Sequence, residues 1–232
     1  MADGAAEACI CVLFYGADDK YFKLAQRVLN EPMRCLAGRN IEFRFGCNAV
    51  GPATHDFLQQ QIADYFHDAL VVNKPENIMK YPIMRHMFHD TPITAPVTIW
   101  FDHDSCIAPD ADANRWLNRV LTQLGGCDML GSIYRSKLSE AQIHWMIEQP
   151  WFTSKPAGSY VSHALGGWWA IRTSVLYEFN WPDHTLRQKD GDVIIGELCR
   201  QQGLSVCHFR DDVKINVNDA GVEAAAARTI TA

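Results

Sequence analysis

The sequence predicts an α/β fold, a three-layer sandwich with a mostly parallel central sheet and helices on both faces. Three observations point to it. Apolar runs of strand length alternate with stretches of helical period from the first run onward. The runs 9–15 and 97–101 carry no charge at any position, as strands covered on both faces require. They stop at Gly16 and Asp102, residue types that open loops. With 232 residues, 48% of them hydrophobic, the chain can bury the core of one domain.

In chain order, 9–15 is the first strand. Asp18 and Asp19 then cap a helix that runs to about residue 30, with Phe22, Ala25 and Leu29 on its inner face. Ile41, Phe43 and Phe45 alternate with Glu42 and Arg44 and mark a second strand, followed by a turn-rich segment at 46–52. A helix at 56–67 leads to a short buried strand at 69–72. The helix expected at 81–89 tolerates Pro82 in its first turn. After the strand at 97–101 come a helix at 112–124 and a strand at 128–134. Residues 135–165 hold one short helix near 140–148 and otherwise read as an irregular, functional loop. A strong helix at 191–202 closes on Gly203, and a last strand follows at 205–209. The Ala-rich stretch 222–232 is expected as a weak helix or frayed tail. One domain is expected, divided into 9–134, 135–209 and a tail from 210 to 232.

The net charge of −6 excludes a global basic field that would draw the protein onto nucleic acid or anionic lipid. The eight cysteines form no CxxC pair and most sit in apolar contexts, as reduced core thiols do. Residues 1–8 lack the basic start of a leader, and the run 9–15 is too short to span a membrane. A soluble, cytoplasmic protein without a membrane anchor is expected.

The strongest chemical signal is Trp100-Phe-Asp102-His-Asp104-Ser105. A buried parallel strand delivers its chain to the carboxyl edge of the sheet, where ligands bind in open α/β folds. In an extended chain Asp102 and Asp104 point to one side and His103 to the other. Two carboxylates with diphosphate oxygens suit Mg²⁺ or Mn²⁺. A phosphohydrolase with the first Asp as nucleophile is disfavoured, because the motif follows about the fourth strand and Cys106 stands where Thr or Val is usual.

Further on stand Gly166-Gly167-Trp168-Trp169-Ala-Ile-Arg172, Asn180-Trp181-Pro182, and Asp190-Gly-Asp192 opening a helix that ends Arg200-Gln-Gln-Gly203. These segments resemble the acceptor half of GT-A glycosyltransferases, both family-two enzymes and the β-1,4-galactosyltransferase group, and the DHD motif fits the other half. The resemblance implies that 9–134 binds nucleotide-sugar and metal, and that 135–209 binds the acceptor. It places Asp192 on the Asp of an acidic helix-opening motif and makes it the catalytic base, with Asp190 as the other candidate and Gly191 in place of the usual Glu. A carboxylate there can take the acceptor hydroxyl's proton. The resemblance adds His208 to Asp102 and Asp104 as a metal ligand, which would suit Mn²⁺. Gly166 and Gly167 allow close backbone approach, and Trp168 or Trp169 offers a face to a sugar. It puts Tyr15, Gly16, Asp18 and Asn48 at the nucleobase, with Asn48 presenting its amide, and Lys80 and Arg85 toward the diphosphate.

The implied activity is inverting, metal-dependent transfer from a nucleotide-sugar, UDP-sugar first, to a hydroxyl acceptor. Three alternatives stay open. A nucleotidyltransferase would carry a Gly-rich signature after its first strand, which Tyr15-Gly-Ala-Asp-Asp19 is not. A non-catalytic nucleotide-sugar binding module has no need of a base. A glycosyltransferase acting on modified bases in DNA would use Arg135, Lys137, Lys155 and His163 as a phosphate-binding strip.

Overall fold

The structure of the protein, a computed structural model, describes residues 5–153, 155–187, 191–210 and 215–217. Nine strands and eight helices follow in the order β1 (Ala8–Tyr15), α1 (Asp19–Val28), α2 (Glu31–Leu36), β2 (Ile41–Asn48), α3 (Pro52–Asp64), β3 (Leu70–Lys74), α4 (Lys80–His89), β4 (Val97–Asp102), β5 (Ser105–Ile107), α5 (Ala113–Leu124), β6 (Met129–Lys137), α6 (Glu140–Ile147), β7 (Tyr160–Arg172), α7 (Thr173–Glu178), α8 (Gly191–Gln202), β8 (Val206–His208) and β9 (Ile215–Val217) among the described residues. Seven of the strands make one sheet in the order β3-β2-β1-β4-β7-β6-β8. Within this sheet every pairing that does not involve β7 is parallel, and β7 runs antiparallel to both its neighbours. The mostly parallel α/β sandwich expected from the sequence is present.

Period-two alternation splits the core into two layers. Ile10, Val12 and Phe14 of β1 pack with α1, α2 and α5 on one face. Cys9, Cys11 and Leu13 pack with α4, α7 and α8 on the other. Complete burial of a residue such as Ile10 or Phe14 contributes about 1.5–3 kcal/mol. The cysteines at 9, 11, 47, 106, 127 and 199 are buried free thiols, as expected. Burial alone pushes the Cys47 thiol up to about 12. No helix among the described residues is long and apolar enough to cross a membrane.

Several elements differ from expectation. The first helix stops at Val28, and Asn30 caps a new one, its side chain accepting from Met33 N at 3.3 Å. The β3 strand is half-buried, because it lies at the edge of the sheet. The largest correction concerns 135–165. Residues 133–137 of β6 pair with 160–164 of β7, so an antiparallel arm stands where an irregular loop was expected. Its polar and aromatic side chains hid the strand pattern, because the arm extends past the core. The rest of that segment is also anchored. Buried Glu197 accepts from Arg200 and Gln201 and from Gly158 N, and Gln201 also bonds Thr153. The expected tail is corrected in part, since β9 returns to pair antiparallel with β5. The stretch 222–232 lies outside the described residues.

Candidate active site

The carboxyl ends of β1, β2 and β4 lie side by side, with Leu13 opposite Asp102 and Tyr15 opposite Asn48. At this edge the chain turns at His103 and Asp104 instead of staying extended. Asp102 and Asp104 nevertheless line one small cleft with Leu13, Tyr15, Asn48 and Lys80. The turn also brings His103 to the cleft, where an extended chain would have sent it away. Its ring packs against Tyr15 at 6.2 Å and Tyr21 at 5.6 Å, and its Nδ1 is buried without a partner among the described residues. Burial lowers the His103 pKa against the opposing pull of Asp104.

Asp102 is held from two directions. Trp100 Nε1 donates to Oδ1 at 2.9 Å, and Lys80 Nζ donates to Oδ2 at 2.7 Å. Burial pushes the Asp102 carboxyl up to about 6; Asp104 and Asp192 add to the rise, and Lys80 opposes it. Lys80 responds in the complementary way. Burial pulls its pKa down, but Asp102, Asp192 and Asp104 outweigh burial and hold the ammonium above the usual lysine value. Lys80 thus faces carboxylates contributed by β4, by the turn after it and by α8.

The start of α4 is fixed by a strained loop. Met79 has φ +75°, a left-handed conformation that side chains other than glycine rarely adopt. Asn77 Oδ1 accepts from Met79 N at 2.9 Å and from Asn48 Nδ2 at 3.1 Å, and Asn77 Nδ2 donates to Tyr15 Oη at 3.2 Å. Asn48 Oδ1 accepts from Ile78 N at 2.9 Å. Both ends of the Asn48 amide therefore serve the protein: Asn48 is buried and orders the loop that carries Lys80, and it also lines the cleft.

Tyr81, the next residue of α4, reaches the other side of the cleft. Its hydroxyl donates to Asp192 Oδ1 at 3.0 Å. Asp192 sits in the first turn of α8, directly after Gly191. A Cβ on Gly191 would stand 2.1 Å from Tyr81 Cζ, so this position takes no side chain while the phenol is there. The glycine directly before Asp192 has a packing cause. Asp190 lies outside the described residues.

Other expected site residues have different surroundings. Gly16, at φ +86°, leaves room for the Tyr21 ring, which a Cβ would meet at 2.3 Å. Asp18 is exposed at the N-cap position of α1 and accepts no side-chain cap bond. Arg85 donates to Asn180 Oδ1 at 3.0 Å and to Pro182 O at 2.8 Å. Gly166 and Gly167 fall where β7 slips against β6, between the Gly131–Trp169 and Ile133–Ala164 pairs. Trp168 and Trp169 are corrected from sugar platforms to core. Trp168 is 3% exposed against Phe101, and Trp169 is 1% exposed and stacks on Trp100 at 6.1 Å. His208 lies on β8, and its Nδ1 accepts from Ile133 N at 3.2 Å. Among the described residues it does not assemble with Asp102 and Asp104 into a three-ligand metal group. His163 is buried on the face of β7 opposite Tyr160, away from any cationic strip.

A divalent metal with a diphosphate still fits the cleft. Two carboxylates converge there beside an orphaned imidazole nitrogen, and Mg²⁺-type sites commonly pair one or two carboxylates with substrate phosphates. Sequence reasoning missed Tyr81 and His103. The signal for Tyr81 was its place directly after Lys80; none marked its distant partner.

No family model matches the sequence, and no curated protein matches it. Solved structures do. One is that of GalNAc-T7 with UDP, GalNAc and Mn²⁺, at TM-score 0.60 and 11% identity, covering 88% of this chain and 42% of that one. Another is the mannosyltransferase PcManGT from Pyrobaculum calidifontis with GDP-Man and Mn²⁺, at TM-score 0.58 and 12% identity, covering 92% of this chain and 57% of that one. The chain spans about half the length of these structures. At such identities the likeness concerns the fold, which is GT-A.

Proposed function

We propose that the protein is a glycosyltransferase that moves a sugar from a nucleotide-sugar to a hydroxyl acceptor with inversion at the anomeric carbon. The observation that carries this reading is the start of α4: Lys80 engages Asp102 and Tyr81 engages Asp192, so a donor-side and an acceptor-side carboxylate meet over two adjacent residues. Asp102 and Asp104 would hold a divalent cation with the diphosphate. That cation would neutralise charge on the departing nucleoside diphosphate. Asp192, oriented by Tyr81, would accept the acceptor's hydroxyl proton while that oxygen bonds to the anomeric carbon. The bond from that carbon to the diphosphate breaks, and its electron pair leaves with the phosphate oxygen. Lys80 would offer its ammonium to the same phosphates. The two neighbouring structures contain UDP and GDP-Man with Mn²⁺, which supports a pyrophosphate-linked donor; UDP-sugar is the first choice and GDP-sugar the second.

The test is nucleotide release from UDP-, GDP- and CMP-sugars with Mn²⁺, followed by transfer to acceptor pools. Release from a nucleotide-sugar that is abolished by EDTA supports the reading. No release from any donor, with no nucleoside diphosphate bound, removes it.

A second reading of the acceptor has its own observation. On the β6–β7 arm, Arg135 and Lys137 both lie over the exposed ring of Tyr160, at 5.8 and 5.4 Å from its centroid. Cations beside an exposed aromatic suit a nucleic-acid acceptor. DNA binding that weakens steeply with salt and disappears in Arg135→Glu/Lys137→Glu supports it; salt-independent transfer to small sugars overturns it.

A further inference from the structure

Lys80 stands where a metal's charge would be needed. Its ammonium is 2.7 Å from Asp102 Oδ2, its side chain is 13% exposed, and it lines one cleft with Asp102 and Asp104. Carboxylates gathered in a buried cleft repel one another and are driven toward protonation. Here the protein supplies its own counter-ion.

We infer that Lys80 is a resident stand-in for the divalent cation, one that keeps the free metal weakly bound until a nucleoside diphosphate arrives. The inference rests on the glycosyltransferase reading and adds an order to it: metal and nucleotide load cooperatively. A dication entering alone must share the Asp102 carboxylate that Lys80 already holds. It must also stand beside an ammonium in a partly desolvated cleft, where like-charge repulsion is stronger than in water. A diphosphate reverses this balance. Its oxygens give the ammonium a new partner and give the metal further oxygen ligands. The lysine stem is flexible and its donors rotate, so the ammonium can follow the phosphate while the loop beneath it stays fixed. Met79, tied by Asn77, sets that loop. Coupling of this kind is reciprocal, so Mn²⁺ must tighten nucleotide by the factor by which nucleotide tightens Mn²⁺.

The experiment titrates Mn²⁺ alone, UDP or GDP alone, and each in the presence of the other, with free Mn²⁺ read by electron paramagnetic resonance. It is run at pH 8, well above the ordinary carboxylate range, so that the acidic side chains are ionised. The parent, Lys80→Met and Lys80→Arg are compared, with metal-free melting curves as the check on folding. In the parent, nucleotide should tighten Mn²⁺ by about 10-fold or more, within the usual range of coupled sites. Lys80→Met should bind Mn²⁺ alone about 10-fold more tightly than the parent and lose most of the coupling, while Lys80→Arg keeps the parent's behaviour. A folded Lys80→Met with unchanged or weaker affinity for Mn²⁺ alone overturns the inference. If that variant does not fold, the parent decides: Mn²⁺ binding that nucleotide leaves unchanged overturns it, and tightening with Lys80→Arg behaving like the parent supports it. A parent that binds both ligands without coupling sinks this inference alone. A parent that binds neither UDP nor GDP with Mn²⁺ sinks the glycosyltransferase reading and this inference with it.

Discussion

Asp102 ends a buried strand with both carboxylate oxygens engaged, by Trp100 and by Lys80. Asp192 stands instead in the first turn of a helix, with a tyrosine hydroxyl on Oδ1. The two carboxylates flank adjacent residues of α4, yet their surroundings differ in kind. A buried acid raised to about 6 and neutralised by an internal lysine is suited to sharing a cation. Negative charge in a helix's first turn is stabilised by the unsatisfied amides there, and one well-directed hydroxyl fixes the carboxylate's orientation. The comparison separates the two proposed tasks: charge neutralisation on the donor side and proton acceptance on the acceptor side.

The largest expected effect breaks the comparison at Asp192. Asp192→Asn keeps size and shape and removes the proton acceptor, so transfer should fall by about 10²–10⁴-fold. Mn²⁺-dependent nucleotide binding and melting temperature should stay near the parent's. Transfer at close to the parent rate would show that Asp192 is not the base and move attention to Asp190.

Asp102→Asn should invert that pattern. The amide can still accept from Trp100, but the charge facing Lys80 is gone. In the parent, UDP with Mn²⁺ at a hundredfold excess over Kd should stabilise the fold by about 2.7 kcal/mol, and EDTA should remove most of that. In Asp102→Asn the Mn²⁺-dependent part of the shift should vanish. A shift of full size in the variant, or in EDTA with the parent, would exclude Asp102 from the metal site.

Gly191→Ala sharpens the contrast from the acceptor side. The new Cβ would sit 2.1 Å from Tyr81 Cζ, against a ring that is 2% exposed. Overpacking of this type costs typically about 1–3 kcal/mol, and the displaced phenol should lose its bond to Asp192. Thermal melting measures the first effect and transfer rate the second. An alanine variant with parental stability and rate would mean that the helix start yields easily and that Gly191 is incidental.

The two sides were also unequally legible in the sequence. In the parallel half, β1 and β4 declared themselves through runs apolar enough to be buried on both faces, and β4 carried Asp102 to the sheet edge as expected. The β6–β7 arm did not, because Tyr134, Arg135 and Lys137 project past the core and lack the apolar alternation of a half-buried strand. Local rules misled at His103, where a turn replaced the extended chain and reversed the direction of the side chain. They misled at Trp168 and Trp169, whose aromatic faces are spent on opposite layers of the core. At Arg85 and Asn48 nothing local reveals that Pro182 and Ile78 are partners. Residue types at strand ends were readable; partners separated by a hundred positions, such as Tyr81 and Asp192, were not.

The smallest effect tests whether the tyrosine positions the acceptor-side carboxylate. Tyr81→Phe removes one hydroxyl and leaves the ring that fills the space over Gly191 and packs against Trp181 at 6.0 Å. The fold should therefore survive with little change in melting temperature. A hydrogen bond to a charged group contributes about 1.5–3 kcal/mol, but only the share that orients Asp192 for proton transfer enters the rate. Transfer should fall about 10-fold, well short of Asp192→Asn. Nucleotide binding should hold, because Lys80 and Asp102 are untouched. The diagnostic is the double variant. In an Asp192→Asn background, Tyr81→Phe should have almost no further effect on rate, since a positioning residue acts only through the group it positions. If the two losses multiply instead, Tyr81 contributes to transfer independently of Asp192, and its hydroxyl belongs among the groups that meet the substrate.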